Sequence, residues 1–179
     1  MTELDPERLL RVLVHHKVDF CVIGAVAAWL QGSPTATLDL DVMPRRELVN
    51  ADRLAAALNE LGARRAGDAA PLELEGTDFL GWQTQRFETE AGPLDVVPLA
   101  AAIGGFEDVA TVELALGELS IRVITIDEVI ASKEELGRPK DNAALPALYA
   151  AREVLRQERR ERGAPKDEGP AGAGPSSGN

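Results

Sequence analysis

A disulfide within the chain is excluded from the outset, because Cys21 is the only cysteine among 179 residues. It lies in the apolar run from Val18 to Ile23, where a buried, inert thiol is the expected state. Cations are scarce as well: 19 Lys and Arg face 30 Asp and Glu, leaving a formal charge of -11. Such a surface repels polyanions, so any phosphate ligand has to be met by a small local basic patch. Long hydrophobic runs are missing too. No stretch approaches the roughly 20 apolar residues of a membrane span. The N-terminus opens on Glu3, Asp5 and Glu7 where a signal peptide would be basic, so a cytoplasmic protein without a membrane partner is expected. No internal repeat is found. What the chain does have is 45% apolar residues, enough to bury the core of one domain.

Local patterns divide that domain into alternating helices and strands. Asp5-Pro6-Glu7 reads as a helix start, and Leu9, Leu10, Val12 and Leu13 give the helix an apolar face up to His16. Phe20–Ile23 suits a strand buried on both faces, closed by Gly24. A helix over Ala25–Gln31 follows, and Ser33-Pro34 turns into a strand predicted over Thr35–Met43. Its alternation sets Leu38, Leu40 and Val42 on one face and Thr37, Asp39 and Asp41 on the other. Arg46–Gly62 is an amphipathic helix. Leu72–Pro98 reads as β-like, with a hairpin of Trp82–Glu88 and Leu94–Val97 around Ala91-Gly92-Pro93. Short strands over Val109–Leu114 and Leu119–Ile124 precede a helix starting at Thr125 or Asp127 and stopped by Gly137. A last helix restarts at Arg138-Pro139, with Pro146 arguing against a straight rod. The domain is assigned to residues 1–162. From about Gly163 the chain is Gly, Pro, Ser and charge, and a disordered tail over 163–179 is expected.

Asp39 and Asp41 are the sharpest chemical feature. Two residues apart on a strand, their carboxylates project from one face with backbones about 7 Å apart. Carboxylates converging in this way suit Mg2+, or Mn2+, held together with water and phosphate oxygens. Asp95, out of phase with Leu94 and Val96, can complete the cluster or take a proton from an acceptor hydroxyl. Lys133, Arg138 and Lys140 form the local basic patch that an acidic chain needs to steer phosphate. Asp141 reads as a partner of a lysine or a helix-start residue rather than a metal ligand. Trp29 and Trp82 are expected to fill core, and His15 and His16 to sit at a helix C-terminus.

The segment from Val22-Ile23-Gly24-Ala25 through Gln31-Gly32-Ser33-Pro34-Thr35-Ala36-Thr37-Leu38-Asp39-Leu40-Asp41-Val42 resembles the signature of minimal nucleotidyltransferases of the DNA polymerase β superfamily, including AbiEii-like toxins. Gly92-Pro-Leu-Asp95-Val-Val resembles that family's third-carboxylate strand, and Asp127–Asp141 its closing helix motif. The resemblance spans about Phe20 to Leu148. It implies an α/β (α+β) nucleotidyltransferase fold, a mixed β-sheet flanked by helices. It also implies a nucleoside triphosphate (NTP) substrate cradled by Gly24, Ala25 and Thr37, and transfer of a nucleotidyl group to an RNA or protein acceptor. A toxin paired with a cognate antitoxin is the biological form this suggests. Family members often carry serine where Ala25 stands and a basic residue where Thr35 stands. Those two positions support a second reading, a non-catalytic relative that binds nucleotide or a partner as a regulator or antitoxin. A third reading is an aminoglycoside or other small-molecule nucleotidyltransferase, against which stands a short chain that leaves little room for an acceptor domain.

Overall fold

The computed structural model describes residues 2–163, and their order is helix–strand–helix followed by a six-stranded mixed sheet built out on both sides. Helix α1 (Pro6–His15) starts where its cap dictates: the Asp5 carboxylate accepts from Arg8 N–H at 2.9 Å, and Pro6 occupies the first turn. Leu9, Leu10 and Leu13 are its buried stripe. Strand β1 (Phe20–Ile23) is buried throughout, as expected of a central strand. It is followed without a loop by α2 (Gly24–Leu30), then β2 (Leu40–Pro44) and α3 (Leu48–Glu60).

The hairpin strands β3 (Gln85–Thr89) and β4 (Gly92–Val96) and the pair β5 (Thr111–Leu116) and β6 (Leu119–Ile124) complete the sheet in the order β3-β4-β2-β1-β6-β5. β1 pairs antiparallel with β2 and parallel with β6, while β2 pairs parallel with β4. Two helices close the described chain, α4 (Ile126–Leu136) and α5 (Pro139–Gly163). Thr125 caps α4 by accepting from Glu128 N–H, and Gly137 ends it in the left-handed conformation. α5 runs through Pro146 without a break, held on its buried side by Leu148 and Ala151. α1 packs on α3, α2 on α4, and α4 on α5. No helix among the described residues is long and apolar enough to cross a membrane.

Several expectations need correction. The strand predicted over Thr35–Met43 begins only at Leu40, and Leu38, expected on the core face, is 81% exposed. β1 is four residues long, and its last residue, Ile23, pairs with Asp41, so nothing on that side can hydrogen-bond the chain before Leu40. Alternation alone cannot make a strand without a partner. Leu72–Leu80 forms no strand either. Gly76–Phe79 is a short 3-10 turn closed by Glu75 and Asp78 side chains. Trp29 and Trp82 are 48% and 58% exposed rather than core, and the Arg46 guanidinium lies 3.4 Å over the Trp82 ring. Gly163 is the last residue of α5, and the rest of the expected tail lies outside the described residues.

One buried polar residue ties the first half of the sheet to α3. Asn50 Oδ1 accepts from Asp19 N–H at 2.7 Å, and its Nδ2 donates to the carbonyls of Asp19 at 2.9 Å and Arg45 at 2.8 Å. All the hydrogen bonds serve the turns entering β1 and leaving β2. Asn50→Leu would leave Asp19 N–H without a partner and take one of two bonds from each of the Asp19 and Arg45 carbonyls, which also accept from Arg45 and Glu47 N–H, and a destabilisation of about 2 kcal/mol is expected in urea unfolding.

Candidate active site

The site is assembled where β1 stops. Ile23 pairs with Asp41 across the sheet, and the following residue, Gly24, turns the chain into α2 with φ +67°. A Cβ at Gly24 would overlap Asp41 Oδ2, so the turn lies directly over that carboxylate and only glycine fits it. On the other side of β2, the parallel register sets Asp41 beside Asp95. Asp39 comes from the loop just ahead of β2. Thr37 Oγ1 lies 2.9 Å from the Asp39 carbonyl and 3.1 Å from Asp39 Oδ1, which holds that carboxylate toward the other two. One carboxylate oxygen from each of Asp39, Asp41 and Asp95 falls within 4.8 Å of the others.

Their protonation reflects the crowding. Burial, then the neighbouring carboxylates of Asp39 and Asp95, push Asp41 up from 3.8 to about 7, against the pull of Lys133 and Lys140. Burial also raises Asp95, opposed chiefly by Arg86, whose Nε lies 3.2 Å from Asp95 Oδ2. Arg86 was not singled out by the sequence. Only the β3–β4 register, which sets Arg86 opposite Asp95, reveals it.

The carboxylates floor a cleft of about 780 Å³. Gly24, Ala25, Thr37, Lys133, Arg138 and Lys140, the residues expected to meet nucleotide, all line it. The basic patch is partly engaged already. Asp141 is buried, with Lys133 Nζ at 3.3 Å and Arg138 Nε at 2.5 Å, and the Arg138 hydrogen bond holds its carboxyl below the usual range. Asp141 is thus the lysine partner that the sequence suggested. Lys140 is exposed and has no carboxylate partner among the described residues. His16, expected only to favour the end of α1, also reaches Glu60 at 2.6 Å.

No protein-family model and no curated protein matches the chain in sequence. Solved structures do match. The crystal structure of the lincosamide antibiotic adenylyltransferase LnuA with lincomycin bound is similar with a TM-score of 0.59 at 14% identity, over 84% of this chain and 99% of that one. The crystal structure of ANT(2'')-Ia in complex with adenylyl-2''-tobramycin is similar with a TM-score of 0.54 at 16% identity, over 88% and 96% of the two chains. A solution structure of ANT(2'')-Ia, described as an antibiotic-resistance factor, gives 0.54 at 15% identity, over 87% and 89%.

This is a nucleotidyltransferase fold. The expectation of a mixed sheet flanked by helices is met, and strands β1, β2 and β4 with the turn at Gly24 are the part of the fold that carries the acidic cluster. The argument from length against a small-molecule nucleotidyltransferase falls, because LnuA is matched over almost its whole chain.

The raised Asp41 carboxyl makes stability depend on pH with a defined sign. Between 3.8 and about 7 the folded protein holds a proton that the unfolded chain has released, so without metal this site costs stability as pH rises through that window. In the presence of a chelator, Asp41→Asn is expected to be more stable than wild type at pH 8 by about 1 kcal/mol or more, with the gap closing toward pH 4. Thermal melting of both proteins across that range checks it.

Proposed function

We propose that the protein is a metal-dependent nucleotidyltransferase that moves a nucleotidyl group from a nucleoside triphosphate to a hydroxyl acceptor. The observation that carries the proposal is the convergence of Asp39, Asp41 and Asp95 within 4.8 Å, at the foot of a cleft in a nucleotidyltransferase fold. The donor set suits Mg2+ or Mn2+: three hard carboxylate oxygens, one on a group whose proton affinity is raised by burial and by its like-charged neighbours. When bound, such an ion would neutralise triphosphate and carboxylate charge at the reacting phosphorus.

The chain's own residues supply the rest. In this reading the Gly24-Ala25 turn admits phosphate close to the backbone, and Lys140 offers the triphosphate a cation with no carboxylate partner among the described residues. Lys133 and Arg138 assist only as far as Asp141 releases them. The acceptor oxygen bonds to the α-phosphorus, the bond to the α–β bridging oxygen breaks, and pyrophosphate leaves. The acceptor proton passes to Asp95, which lies on the β4 side of the cluster. Residues 1–162 form the domain that does this. The acceptor class divides two forms of the reading. The sequence resemblance supports RNA or protein, as for the toxin of a toxin–antitoxin pair, whereas the structural similarity to LnuA and ANT(2'')-Ia supports a small molecule.

A second reading is favoured by the Asp141 ion pairs and by Ala25 and Thr35, which together leave few groups for phosphate. In it the protein binds nucleotide or a partner without transferring anything.

Melting the protein with each NTP and excess MgCl2 tests the proposal. Saturation at about 100 times Kd should add roughly 2.7 kcal/mol of stability. Asp39→Ala and Asp41→Asn should abolish the shift, and Lys140→Ala should weaken triphosphate binding by about 1 to 3 kcal/mol. Incubating labelled NTP with the protein and total cell RNA or lysate then reads transfer. A nucleotide-dependent shift with no label on any acceptor selects the nucleotide-binding form of the second reading, and no shift at all contradicts the transferase and leaves the partner-binding form.

A further inference from the structure

The cleft has two unlike ends, separated by the carboxylates. β2 lies between β1 and β4, so Asp41 has Gly24 and the corner of α4 and α5 on one side and the end of β4 on the other. The first end carries Lys133, Arg138 and Lys140. The second is walled by Val97, Leu99, Ala100, Ala101 and Ile103, where the chain leaves β4, with Thr84 and Arg86 from the neighbouring hairpin strand and the turn before it.

The charge inventory of the second end is short. Among the described residues, the carboxylates that line the cleft are the cluster itself and Asp141, which Lys133 and Arg138 already neutralise. No carboxylate is left at the β4 end to receive an ammonium group. The cation there, Arg86, is paired with Asp95. A polycationic acceptor, though drawn by the chain's formal charge of -11, would find no free carboxylate to pair with at this end of the cleft among the described residues. A polyanionic acceptor would meet the repulsion of a chain with a formal charge of -11. Leu99, half exposed at 52%, presents apolar surface that the described residues leave uncovered.

The wall is also built to one shape. Ala100 N–H donates to the Gly104 carbonyl at 2.9 Å, and Gly104 N–H returns the bond at 3.1 Å. Asp108 Oδ2 accepts from Gly105 N–H at 2.9 Å and pins the far side. At the tip, Ala102 takes φ +64°, a left-handed conformation that costs a residue with a Cβ about 1 to 2 kcal/mol. Strain of this kind persists where surrounding contacts over-determine a local shape, and the flanking Ala101 and Ile103 line the cleft.

We propose that the β4 end of the cleft is an acceptor subsite for a small, uncharged hydroxyl compound with an apolar body, seated on Val97, Leu99 and Ala101. The assignment rests on the nucleotidyl-transfer reading for which end takes nucleotide. Its apolar character rests on the lining alone.

The test uses the full chain and three probes: hexyl β-glucoside as the neutral apolar alcohol, tobramycin as the polycation, and a short RNA oligomer as the polyanion. Each is titrated calorimetrically in the presence of MgCl2 and a non-hydrolysable ATP analogue, and each is then offered as acceptor with labelled ATP. The glucoside is expected to bind and to take label with kcat/KM about tenfold or more above the other two. Leu99→Glu, at an exposed position that leaves melting unchanged, should raise the glucoside KM about tenfold, and Leu99→Met should restore it. Preference for tobramycin or RNA, or a glucoside affinity indifferent to Leu99→Glu, overturns the subsite. If no triphosphate binds, the transfer reading has failed by itself. Glucoside binding then decides the subsite: present and weakened by Leu99→Glu, it supports the apolar wall, and absent, it overturns it.

Discussion

The candidate site depends on the close approach of Gly24 to Asp41. β1 ends at Ile23, paired with Asp41, and the next residue must reverse into a helix without a Cβ. That contact buries Asp41, and burial is the largest cause of its raised proton affinity. A carboxyl held near neutrality beside two others is a site whose electrostatic debt a divalent cation relieves. The same turn ends the ladder on that side of β2, so Thr35–Asp39 stays out of the sheet and Asp39 is free to bend toward the cluster under the hold of Thr37.

Away from that turn, the structure disposes of its few cations with care. Two of the three basic residues at the α4–α5 corner are drawn onto buried Asp141, and Arg86 is drawn onto Asp95. These pairs hold the corner and the hairpin against the cleft, and they also decide which cations a ligand can recruit. Lys140 is the one at that corner without an acidic partner among the described residues, so phosphate recognition and the rigidity of α4 and α5 draw on overlapping groups. A ligand that takes Lys133 or Arg138 must compete with Asp141 for it.

Features written in short stretches of sequence were legible. Asp5, Thr125 and Gly137 mark helix ends through their own side chains or backbone freedom, and β6 occupies Leu119–Ile124 as predicted. Asp39, Asp41 and Asp95 were placed together, and the structure brings their oxygens within 4.8 Å. What could not be read depends on partners distant in the chain. The alternation from Thr35 to Met43 implied one strand, yet β1 ends at Ile23 opposite Asp41, the first half pairs with no strand among the described residues, and Leu38 ends up in water. Arg86 matters only because β3 and β4 align it with Asp95. Trp82 resembled core from its composition, but Arg46 covers its face from outside. The engagement of Lys133 and Arg138 was visible in kind, through Asp141, but its extent needed the bend at Gly137.

The central claim is that Asp39, Asp41 and Asp95 form one metal-dependent nucleotide site. Crystals of the protein grown with MnCl2 and a non-hydrolysable ATP analogue, measured at the manganese absorption edge, test it directly. The account predicts an anomalous peak within coordination distance of Asp39 and Asp41, with the triphosphate running toward Gly24 and Lys140. Manganese found only on surface carboxylates, or nucleotide bound outside the cleft, would contradict it.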